Sequence, residues 1–144
     1  MILDKAKGRH CACGNIRRTS RAVTQFFDST LKPSKLRVTQ FSLLFNISLY
    51  ENISVTELSE LLIMDQTTVT RNLKILKKSG YIFVTKGSDD GRKKMVSLTE
   101  KGREKLEEVV SLWELAQCRI VEGLGAERFH DFLVTLSKIA DLTR

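Results

Sequence analysis

A DNA duplex is recognised by short hydrogen-bonding side chains with cations close behind them. One stretch supplies that pattern: Gln66, Thr67, Thr68, Thr70, Arg71 and Lys74. A helix that enters the major groove carries such groups near its N-terminus, with a base-reading or phosphate-binding cation following. A second cluster, Arg92-Lys93-Lys94, closes a turn rich in Gly and Asp. Arginine there suits a narrow minor groove, where the potential is most negative. The remaining reactive groups are His10-Cys11-Ala12-Cys13 and the distant Cys118. A total of three cysteines, an odd number, argues against a disulfide framework. Three readings of Cys11 and Cys13 stay open: a thiolate-rich metal corner, a redox sensor with Arg9, Arg17 and Arg18 beside a helix start, or no chemistry. C-x-C is tighter than the usual zinc spacing, and Cys118 and His130 complete a site only where folding brings them near. Cys118 itself, between Ala116 and Ile120, reads as a buried small hydrophobe, and His130 as a surface or interface residue. Catalysis has no comparable support. There is no Ser-His-Asp arrangement, no glycine-rich phosphate loop and no pair of carboxylates in apolar surroundings, and turn formation accounts for Asp89-Asp90. Neither an enzyme nor a cofactor is expected.

The elements that must position these residues are legible around them. Ser54 with Glu57 three residues on forms a capping box, and Val55, Leu58, Leu61 and Leu62 give that short helix a core face. A break at Ile63-Met64 precedes Asp65, an N-cap for a second helix from Gln66 to Ser79 that Gly80 ends. Val69, Leu73 and Leu76 form its anchoring stripe, leaving the polar and cationic residues outside. Tyr81 to Lys86 and Met95 to Leu98 flank the Gly/Asp turn as a β-hairpin. Helix, turn, helix and a cation-tipped hairpin predict a winged helix, mainly α with a small β wing. A basic unit of this kind is expected to bind double-stranded DNA.

These residues also carry a family likeness. Val69-Thr70-Arg71 with Leu73, Leu76 and Gly80, then Asp90-Gly91-Arg92 and Leu98-Thr99-Glu100-Lys101-Gly102, resemble the multiple-antibiotic-resistance regulator (MarR) family of winged-helix transcription factors. Order and spacing match from about Leu36 to Leu106. The resemblance implies a homodimeric repressor on a pseudo-palindromic operator. It places the helix from Gln66 in the major groove and Arg92 in the minor groove, and it makes Asp90 the acid that orients wing or helix arginines. It further implies release by a small-molecule effector, held between the dimer helices and the reading domain, or by cysteine oxidation. Peroxide sensors of the family place a reactive cysteine near the start of the first helix, as Cys11 and Cys13 are placed. They pair it with tyrosines of the second helix, where this chain has Phe41 and Phe45. The alternative is a winged helix that serves protein interaction or dimerisation without DNA.

The flanks fit one domain of 144 residues, with the winged helix at about 36–100 and dimerisation helices at about 10–30 and 105–144. Residues 1–9 read as a frayed tail, and the polar turn after Met1-Ile2-Leu3 predicts no signal peptide. With no apolar run of membrane-spanning length, a cytoplasmic protein is expected. A helix from about Cys11 to Thr30 carries Ile16, Val23, Phe26 and Phe27. After a turn at Pro33, Thr39 is a candidate cap for a helix from Gln40 to Tyr50, Glu51-Asn52 ends it, and Ile53 can lend a third strand. Thr99 caps a helix to about Glu122, Gly123 and Gly125 interrupt, and a last helix runs from about Ala126 to Leu142. Charge follows the same partition: residues 1–37 carry a net +7, 38–64 a net −3, 65–105 a net +6 and 106–144 a net −3. Cations near phosphates release counterions and drive binding. Terminal helices this apolar exceed what one small winged helix can cover, so a two-fold partner is expected to cover them. The pair would set two reading helices about 34 Å apart, one turn of DNA.

Overall fold

The computed structural model of the chain describes residues 8–144; of the tail expected to be frayed, residues 1–7 lie outside them. The order is α1 (Ala12–Leu31), a 3-10 turn (Lys32–Ser34), α2 (Val38–Ser48), β1 (Ile53–Ser54), α3 (Val55–Leu62), α4 (Gln66–Lys78), β2 (Ile82–Lys86), β3 (Lys94–Leu98), α5 (Glu100–Leu124) and α6 (Ala126–Leu142). The three strands form an antiparallel sheet in the order β1-β3-β2. Ile53 does contribute the third strand, opposite Val96.

Leu31 from α1, Leu43, Leu44 and Ile47 from α2, Leu58 from α3, Val69 and Leu76 from α4, Val96 from β3 and Val109 from α5 are fully buried and form one core. Trp113 on α5 stacks on Phe41 of α2 with ring centroids 5.9 Å apart, which joins the long helix to the winged head. The junction after α4 is held by Thr99. Its hydroxyl donates to the Gly80 carbonyl at 2.6 Å and accepts from Gly102 N–H at 3.0 Å, while its own N–H donates to the Tyr81 carbonyl at 3.1 Å. Gly80 has φ +78°, the left-handed conformation a glycine adopts freely. Gly102 packs so closely on the Tyr81 carbonyl that no side chain fits there.

Several boundaries differ from expectation, for physical reasons. α2 starts at Val38, ahead of Thr39, because Asp28 on α1 accepts from Val38 N–H at 2.7 Å and the Gln40 side chain accepts from Arg37 N–H at 3.0 Å. Gly123 lies inside α5, and only Gly125, at φ +84°, breaks the chain. Leu61 is 46% exposed although its spacing placed it with Leu58. Cys118 is exposed, correcting the buried reading: Ala116 and Ile120 are one helical turn apart on the inner face, and position 118 falls opposite them. Ile16 and Val23 are each 38% exposed, and α6 buries no residue at all. No helix among the described residues is long and apolar enough to cross a membrane.

Candidate nucleic-acid interface

α3 and α4 are each started by a side-chain cap. At α3, Ser54 Oγ accepts from Glu57 N–H at 3.1 Å, and Glu57 Oε2 accepts from both Ser54 N–H and Ser54 Oγ–H, at 2.9 and 2.6 Å. These bonds to the carboxylate, the hydroxyl's above all, hold Glu57 below its usual range, and the Lys93 ammonium adds a smaller pull. At α4, Asp65 Oδ1 accepts from Thr68 N–H at 2.8 Å and Oδ2 from the Thr68 hydroxyl at 2.7 Å. The same bonds lower the Asp65 pKa, with Arg71 contributing least. Between the caps, Ile63 closes α3 at φ +51°, a conformation that a β-branched residue rarely adopts.

Val69, Leu73 and Leu76 are buried as their spacing requires, so the opposite side of α4 is fixed in orientation. Gln66, Thr67, Thr70, Arg71 and Lys74 all stand exposed on it. Thr68 does not join them on equal terms, being half-buried with its hydroxyl engaged in the Asp65 cap. The hairpin pairs Ile82 with Leu98 through to Lys86 with Lys94. At its tip Gly87 N–H donates to the Lys93 carbonyl at 2.8 Å and Lys93 N–H to the Asp90 carbonyl at 3.0 Å. The Asp90 carboxylate accepts from the backbone N–H of Arg92 at 3.0 Å, so it shapes the turn and reaches no guanidinium. Arg92, Lys93 and Lys94 are exposed. The register adds Lys86, which spacing alone did not single out: it lies directly opposite Lys94, and like charges facing across a ladder repel. Among the described residues the one ion pair is Lys105–Glu108, so no cation of helix or wing is in ion-pair contact with a carboxylate there.

The other candidate residues are dispersed. Cys11 caps α1, its sulfur accepting from Gly14 N–H at 3.4 Å, and Cys13 is exposed in the first turn of that helix. Cys118 and His130 belong to α5 and α6, and the described residues hold no cluster of three His, Cys, Asp or Glu able to bind a metal ion. An open hollow of about 640 Å³ lies at the α3–α4 turn, where Ile63, Met64, Asp65 and Gln66 face Arg144 beyond α6.

A helical pair that projects polar and cationic residues beside a cation-tipped hairpin defines a winged helix-turn-helix protein. The sequence pattern of the MarR family matches residues 36–94. The regulator SarZ of Staphylococcus saprophyticus is 31% identical over 86 residues, which are 60% of this chain and 59% of that protein; the match thus spans under two thirds of the staphylococcal relative. Over nearly full length, the transcriptional regulator MosR of M. tuberculosis, solved in complex with DNA, is 36% identical with a TM-score of 0.81, covering 94% of this chain and 99% of that one. BpsR of Bordetella bronchiseptica, whose DNA binding is regulated by 6-hydroxynicotinic acid, is 26% identical with a TM-score of 0.84, covering 92% and 94%. The chain belongs to the MarR family. These relatives are regulators of transcription and not enzymes.

Proposed function

We propose that this chain is a sequence-specific, double-stranded-DNA-binding transcriptional regulator, acting as a homodimeric repressor in the cytoplasm. Gln66, Thr67, Thr70, Arg71 and Lys74 face the major groove with Thr68 behind them, Arg92 enters the minor groove, and Lys93 and Lys94 hold flanking phosphates. Asp90 keeps the wing turn in shape. The observation that carries the reading is the exposed cationic face shared by α4 and the wing, free of close ion pairs, on a fold common to a relative solved on DNA. One domain serves both tasks: residues 36–100 read, and α1, α5 and α6 pair with a second copy over the apolar face that α6 leaves exposed. A pseudo-palindromic operator follows from that two-fold symmetry.

Release from the operator comes from a small-molecule ligand or from oxidation of Cys11 and Cys13. The regulation of BpsR by 6-hydroxynicotinic acid supports the first route. The exposure of both thiols and the helix-cap position of Cys11 favour the second. A gel shift with the DNA flanking the chain's own gene tests this, run reduced and then with mild peroxide. Tight reduced binding is expected. Loss in peroxide, with resistance in a Cys11→Ser/Cys13→Ser variant, assigns the switch to the thiols; indifference to peroxide assigns it to a small molecule. Absence of specific binding in either state overturns the DNA reading in favour of a protein-interaction module.

A further inference from the structure

The N-termini of α3 and α4 are joined by one contact that the sequence did not foretell. Gln66 Nε2 donates to Thr56 Oγ1 at 3.3 Å, across ten residues. Both residues are exposed. Of the five exposed residues on the reading face, Gln66 alone has a side chain hydrogen-bonded within the described chain; Thr67, Thr70, Arg71 and Lys74 are free to reorient. A glutamine amide has several rotamers and two opposite faces, one donating and one accepting, so an unrestrained Gln can present either to a base. The bond to Thr56 restrains that choice. It ties down the amide nitrogen and leaves Oε1 without a partner in the described chain, so an amide held there with its oxygen-side hydrogen outward matches the N6 donor and N7 acceptor of adenine in the major groove.

Thr56 is itself well placed to hold the amide. It sits in the first turn of α3, directly between the two members of the Ser54–Glu57 capping box. Ser54 pairs with Met95 in β3, so the anchor runs from the wing through β1 and the cap to Thr56 and then Gln66. We infer that Thr56 is a positioning residue: it touches no base, and it fixes the Gln66 amide for adenine at one base pair of each half-site. The inference rests on the DNA reading proposed above.

The test is selection from a random double-stranded DNA library by the purified full chain, followed by affinities for the enriched site and each of its single-base substitutions. The parent is expected to prefer adenine at one position per half-site. Gln66→Ala should abolish that preference. Thr56→Val, nearly isosteric, should reduce it by roughly tenfold, in the range expected of one bidentate base contact. Thr56→Ser should retain it, and Thr56→Val should add nothing at that position in the Gln66→Ala background. Unchanged melting temperatures confirm that the variants fold. Thr56→Val that keeps the parent's preference at every position, or weakens binding equally to all sequences, overturns the inference. A parent chain that enriches no sequence overturns the DNA reading itself, before any variant is compared.

Discussion

Asp65 and Glu57 each spend a carboxylate on the first turn of a helix, and both stay ionised to lower pH than an isolated side chain would. Their folded pKa values lie below the ordinary 3.8 and 4.5, so the stability they lend is fully present above those values. It is lost as pH falls through the depressed folded values. Melting temperature should therefore hold from pH 7 to about 5 and drop below about 4, and Asp65→Asn with Glu57→Gln should blunt the acid drop. An acid limb identical in parent and double variant would remove the caps from that account. On the outer face, Arg92→Ala is expected to weaken operator binding and reduce the salt slope by about one, leaving fold and dimer intact. Fluorescence anisotropy over a salt series reads both. Equal affinity would take Arg92 off the DNA. Both caps were legible in the sequence because each cap residue finds its partner three residues on, Ser54 in Glu57 and Asp65 in Thr68. The partner of Gln66 was not, since Thr56 is brought to it only by the turn.

The turns between elements decide how rigidly the reading helix is held. Gly102→Ala would drive a methyl group into the Tyr81 carbonyl, at the junction where Thr99 joins α4, β2 and α5. The expected cost is roughly 2–3 kcal/mol, measurable by chemical denaturation, with a matching loss of DNA affinity. Ile63 is the opposite case: a β-branched residue at φ +51° with 65% of its surface exposed has strain to release and little packing to lose. Ile63→Gly should stabilise the chain by about 0.5–1 kcal/mol, the left-handed penalty exceeding the extra freedom glycine has when unfolded. A destabilised variant would mean that the exposed side chain packs against a partner. Periodicity located α1 to α6 and both hairpin strands, because each carries an apolar stripe, but it missed that Gly8 and Arg9 are helical where a frayed tail was expected. It misplaced the start of α2, whose cap comes from Asp28 in another helix, and the break before α6, where Gly123 has no reason to leave the helix. Leu61 was misjudged because a spacing of three from Leu58 left it at the edge of the buried stripe, and Cys118 because its sequence neighbours Ala116 and Ile120 lie on the other face of the helix.

For the whole molecule, the apolar surface of α6 decides the behaviour in solution. Phe132, Leu133, Val134 and Leu142 are between 41% and 76% exposed, and no residue of α6 is buried. A mass of twice 16.4 kDa is expected in sedimentation at micromolar concentration, with a melting temperature that rises with protein concentration. A monomeric mass there would sink the dimer assignment. The dimer could not be read residue by residue from the sequence, since apolar stripes show that cover is needed and not which surface supplies it. The exposed apolar residues of α6 and the cations of α4 and the wing are different side chains, and under the dimer proposed above that division of labour has a genetic consequence. Copies lacking Arg71 and Arg92 would keep their pairing surface and would sequester intact chains in mixed dimers, each with only one working half. A cell expressing both forms would lose repression despite its intact gene, so such alleles should be dominant, whereas alleles that disrupt α6 should be recessive.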